Sequence, residues 1–95
     1  MSKLKVFGGL VEHHAFPKPN KRTRVIVAAA SRAAARRALA AVGITLSDSE
    51  LRDYWNETGN ERELATALPH EGAVFYAVNL TESEYARFIG TKGQG

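Results

Sequence analysis

The stretch "TRVIVAAASRAAARRALAAVG", residues 23–43, changes its period at the midpoint, and that change constrains the fold more than any other feature. Residues 23–30 are β-branched and apolar on both alternating faces, which fits a central strand covered on both sides or by one thick layer. Ser31 is a good N-cap, and the run behind it is rich in strong helix formers. Gly43 falls where a C′ glycine belongs. A helix is therefore expected over 32–42, with Ala35, Ala38, Leu39 and Val42 inward and Arg32, Arg36 and Arg37 outward. The small residues on its inner side bring it close to the sheet.

The flanking segments complete a compact plan. "KLKVFGGLVEHH" alternates imperfectly and reads as a strand over 3–13, where Gly8-Gly9 signals a bulge or a close backbone approach. "PKPNKR" forms a solvated hairpin tip, because Pro17 and Pro19 cannot donate to a ladder. Ser47 and Glu50 have capping-box spacing, and Leu51, Tyr54, Trp55 and Thr58 follow at helical spacing. Tyr54 and Trp55 are expected to fill the core. Gly59 is assigned a positive φ, Asn60 a second N-cap with Glu63 at its box position, and Leu64, Ala65 and Leu68 the next apolar stripe. "AVFYAVNL" reads as a strand over 73–80. Thr81 and Glu84 suggest a third capping box before a helix carrying Tyr85, Phe88 and Ile89. The expected fold is α+β and two-layered. It has a three-stranded, mainly antiparallel sheet in the order β-β-α-α-α-β-α, with the helices packed on one face. One domain spans 1–90, with a loose tail at 91–95.

Charge is distributed unevenly. Residues 1–40 hold nine Lys and Arg against one Glu, a balance of +8; residues 41–95 hold four against nine, −5, which leaves +3 for the chain. A bipolar chain suits an anionic ligand, a macromolecular partner or a second copy of itself. There are no cysteines, so thiolate chemistry and disulfides are excluded. The amino-terminal stretch lacks the apolar run of a secretory signal, and no segment approaches the ~20 apolar residues of a membrane span. A cytoplasmic protein with no membrane partner is expected.

No catalytic constellation is legible. His13 and His14 are adjacent, so a strand sends them to opposite faces, and with His70 they make no H-x₃-H or HExxH spacing. No metal or cofactor is expected. A helix-turn-helix over residues 34–55 fails, because Ser49 and Arg52 fall on interior positions and Asp48, Glu50 and Asp53 would repel phosphates. Two binding surfaces can be drawn. The first joins Lys21, Arg22, Arg24, Arg32, Arg36 and Arg37 to Tyr54 and Trp55 as aromatic anchors for a macromolecule, a protein ahead of nucleic acid. Nucleic acid would be bound without base readout, since apart from Phe7 and Phe16 no stacking platform interleaves with the cations. The second is a small-anion or nucleotide site at Ser31 and Arg32, where free N–H groups and the helix dipole favour negative charge.

The Ala-rich helix, "SDSELRDYW", "ETGN" and "PHEGAVFY" give residues 24–77 a likeness of their own. This run resembles the small uncharacterised accessory proteins of actinobacterial phages. The resemblance implies a non-enzymatic accessory protein acting on a host or phage macromolecule in a bacterial cytoplasm. It implies no catalytic residue.

Overall fold

The computed structural model describes residues 4–11, 23–77 and 84–88. Among them the elements run β1 (Lys5–Val11), β2 (Thr23–Ala29), α1 (Arg32–Ala41), α2 (Asp48–Tyr54), β3 (Asn56–Glu57), α3 (Glu61–Ala67), β4 (Val74–Ala77) and β5 (Tyr85–Phe88). The sheet is antiparallel throughout, in the order β3-β1-β2-β4-β5. The α+β class holds, but five strands stand where three were expected.

The strand–helix switch at residues 23–43 forms as the pattern demands. β2 is central, paired with β1 on one side and β4 on the other. The Ser31 hydroxyl accepts from Ala34 N–H at 3.1 Å and caps α1. Gly43, at φ 95°, takes the left-handed turn that ends it. Ala35 and Leu39 are fully buried, so α1 lies close to the sheet.

The helices do not share one face. Val25, Val27 and Ala29 point into a core with Ala35, Leu39, Leu51 and Trp55, under α1 and α2. Ile26 and Ala28, one residue out of phase, point into a smaller core with Val6, Ala67, Ala73 and Phe75, under α3. The one-sided arrangement is therefore corrected to cover on both faces. The physical reason was already visible: a strand apolar on both sides needs both sides covered.

The capping signals before residue 85 gave way to sheet pairing. Tyr85 packs against the α3 core and Phe88 lies in the opposite core, so the segment uses both faces, as a strand does. Four cross-strand pairs with β4 fix it, and tertiary pairing overrides local helix propensity. β3 escapes the sequence because two residues show no alternation. It forms because Trp55, in extended geometry at the end of α2, anchors the chain beside β1. Gly59 has no positive φ; Gly43 and Gly72 do. The expected hairpin tip, residues 78–83 and the tail at 91–95 lie outside the described residues.

Gly8 and Gly9 make no bulge, since the β1–β2 register runs unbroken through them. Both are close approaches. A Cβ on Gly9 would lie 2.5 Å from the Trp55 ring, and one on Gly8 would lie 2.5 Å from the Arg24 guanidinium. Trp55 is only 1% exposed and has no room to retreat. Gly9→Ala is therefore expected to lower stability by about 1–3 kcal/mol through overpacking, read as a lower urea midpoint at unchanged m-value.

Candidate functional site

The cations that could have formed a docking face divide by what they touch. Arg24 leaves β2 on the α3 side and crosses Gly8, where a missing side chain makes room for it. Its Nε and NH2 groups donate to the two oxygens of Glu63, both at 2.9 Å, in a bidentate pair. Glu63 is 3% exposed. It also accepts from the Tyr85 hydroxyl of β5, and the Thr58 side chain adds a further hydrogen bond. Burial alone would raise its pKa. The bonds from Arg24, Tyr85 and Thr58, with the Arg24 charge, outweigh burial and hold the group below its ordinary 4.5. Because the folded value lies below the unfolded one, the contribution of Glu63 to stability is full above pH 4.5. It is lost as pH falls through the folded value.

Arg32 is also engaged. Its NH1 donates to the carbonyls of Leu51 at 3.2 Å and Trp55 at 2.7 Å, satisfying the open end of α2. Its guanidinium sits 5.3 Å from the centre of the Phe7 ring, a cation–π contact. Arg36 donates to Leu46 O at 3.0 Å and to Asp48 at 2.6 Å, tying α1 to the start of α2. Of the six cations proposed as a macromolecular face, Arg24, Arg32 and Arg36 thus bind other parts of the chain. Arg37 is exposed. Lys21 and Arg22 lie outside the described residues. At the proposed anion site, the Ser31 oxygen accepts from Ala34 N–H and Arg32 NH1 donates to two α2-end carbonyls.

The two aromatics part company. Trp55, offered as an interface anchor, is corrected to a core residue: it sits over Gly9, where only a glycine leaves space for the indole. Tyr54, expected in the core, is 73% exposed. The Arg36–Asp48 bond shows which flank of α2 faces α1. Tyr54 lies on the other flank, one turn from Glu50. β1 and β3 pair Phe7 with Glu57 and Gly8 with Asn56. Continued by one residue, the same register sets Trp55 against Gly9; Tyr54 is the last residue of α2 and lies outside the ladder. The Trp55 ring over Gly9 agrees with this register. Leu10 is 53% exposed. Both are exposed large apolar side chains, Leu10 near the end of β1 and Tyr54 at the end of α2. Arg52 and Asp53, paired at 3.5 Å, stand exposed beside Tyr54.

The residues that sequence reasoning missed are Glu63 and Tyr85. Glu63 carried a local explanation as a box residue, but among the described residues the reciprocal box forms at Ser47 and Glu50 and not at Asn60 and Glu63. Asn60 caps α3 alone, accepting from Arg62 and Glu63 N–H. The available signal was Glu63 one turn before Ala67, a charge on a buried stripe; its partner lies 39 residues earlier. Among the described residues no group of three or more His, Asp or Glu side chains converges as a metal site. No helix there is long and apolar enough to cross a membrane. Comparison with family models, with curated proteins and with solved structures gives no match.

Proposed function

We propose that this chain is a small non-enzymatic binding module whose partner is a protein, met at the exposed Tyr54 at the end of α2. The exposure of Tyr54 carries this reading. Its backbone is fixed by the buried Trp55 next to it, so the ring is presented from a rigid support. Aromatic side chains held in this way bring large contact area at small entropic cost and are enriched where proteins meet. The engagement of Arg24, Arg32 and Arg36 within the fold favours a protein over nucleic acid, because tracking a phosphate backbone needs several cations on one open face. The likeness of residues 24–77 to phage accessory proteins agrees with such a role.

Affinity capture from a bacterial lysate, with and without nuclease, tests it. The wild-type chain is expected to retain a nuclease-resistant protein, and Tyr54→Ala to lose at least tenfold of that recovery. The stability of the variant should stay within about 0.5 kcal/mol of wild type, as for an exposed position. Equal recovery by both chains, or recovery of nucleic acid alone, contradicts the reading.

A further inference from the structure

We propose that α3 is an acid-released cover over the second face of the sheet, and that the Glu63 side chain is its latch. The two faces are held by different forces. Under α1 and α2 lie Phe7, Val25, Val27, Leu39, Leu51 and Trp55, a broad apolar contact that does not titrate. Under α3 the contact is small: the helix itself buries only Glu63 and Ala67, with Leu64 partly covered. Backbone bonds tie its flanks to the sheet, Thr58 N–H to Val6 O and Gly72 N–H to Ala28 O, both at 2.8 Å. An alanine contributes little apolar area, so the helix itself is held chiefly by the carboxylate bonds to β2 and β5.

Protonation changes what Glu63 can do. The ionised carboxylate accepts from two Arg24 nitrogens, from Tyr85 and from Thr58. The neutral acid carries a proton on one oxygen, so it loses acceptor capacity and the charge that answers Arg24. The charged and titratable groups near it come from every neighbouring element. β2 contributes Arg24. β5 contributes Tyr85 and, opposite Phe75, Arg87. α3 itself contributes Glu61 and Arg62, and the turn after it contributes His70, whose ring lies 5.9 Å from Phe75, and Glu71. β1 contributes Val6 and Gly8, which do not titrate. Glu61 and Glu71 are exposed, whereas the Glu63 carboxylate is buried in its bidentate pair with Arg24. On the other face the ion pair nearest the helices is Arg36–Asp48, which is largely exposed and worth little. Acid therefore acts first on α3, below the ordinary glutamate range. Its release uncovers Val6, Ile26, Ala28 and Phe75 while α1 stays packed.

Amide hydrogen exchange on the full chain, resolved by segment, reads this directly. Glu63→Gln stands in for the protonated acid at neutral pH. Its α3 amides are expected to lose at least tenfold protection while those of α1 and β2 keep theirs. Unchanged α3 protection, or an equal loss across α1, β2 and α3, overturns the proposal. Should the variant fail to fold, wild-type chain followed by two-dimensional NMR from pH 6 down to pH 3 decides. The α3 resonances are expected to change at a higher pH than those of α1; a single step common to both helices overturns the latch.

Discussion

Trp55→Ala is expected to remove about 3–5 kcal/mol of stability, the range for emptying a large aromatic site. A domain of this size holds about 5–15 kcal/mol in total, so the variant approaches the unfolding threshold at room temperature. The loss is large because nothing nearby can collapse into the space. The indole lies on Gly9, which has no side chain to extend, and Trp55 is 1% exposed. The Trp55 carbonyl also accepts the shorter of the two Arg32 bonds, at 2.7 Å. Losing the indole therefore loosens the end of α2, the start of β3 and the β1 edge together. Urea unfolding followed by far-UV circular dichroism checks it; a loss under about 1 kcal/mol would mean that the ring is not packed as described.

Arg24→Ala is the second large effect. Removing one partner of a buried ion pair typically costs about 3–5 kcal/mol, because the remaining charge is stranded. Arg24 is 24% exposed, so a value near the lower end, about 3 kcal/mol, is expected here. The pH dependence carries more information than the size. In the wild type Glu63 stabilises the fold above pH 4.5 and ceases to as pH falls. In the variant, burial acts without Arg24 to answer it, and the folded pKa moves upward. Stability linked to Glu63 is then greatest in acid and is lost as pH rises through that value. The deficit of Arg24→Ala relative to wild type should therefore narrow as pH falls below 4.5. A deficit constant with pH would mean that the arginine acts through packing alone.

Features held within one window of sequence were legible; features built across the sheet were not. The β1–β2 hairpin, the caps at Ser31, Ser47 and Asn60, and the burial of Trp55 each depend on a neighbour a few residues away or on a strong periodic pattern. Three errors share one cause. Tyr85 and Phe88 looked helical locally, but the open side of β4 took residues 85–88 as a strand. Glu63 looked like a capping residue, but Arg24 reached it across the sheet. The arginines of the first forty residues looked like a common outward face. Arg24 instead lies on the α3 side of the sheet, while Arg32 and Arg36 reach across to α2. Charge counted along a chain does not reveal which carbonyls and carboxylates the fold will bring to it. Tyr54 and Trp55 show the same limit at its shortest range: adjacent aromatics at the end of a helix, one buried and one exposed, separated only by the close approach of Gly9.

The central claim is that cations of the amino-terminal half serve the fold, with the Arg24–Glu63 pair as the strongest case. A double-mutant cycle measures that pair most directly, using Arg24→Ala, Glu63→Ala and the double variant in urea at neutral pH. Residues in one buried network couple by about 0.5–3 kcal/mol, and a coupling near the top of that range, about 2 kcal/mol or more, is predicted. Additivity of the two single losses within about 0.3–0.5 kcal/mol would contradict it. The bidentate pair would then contribute nothing beyond its separate side chains.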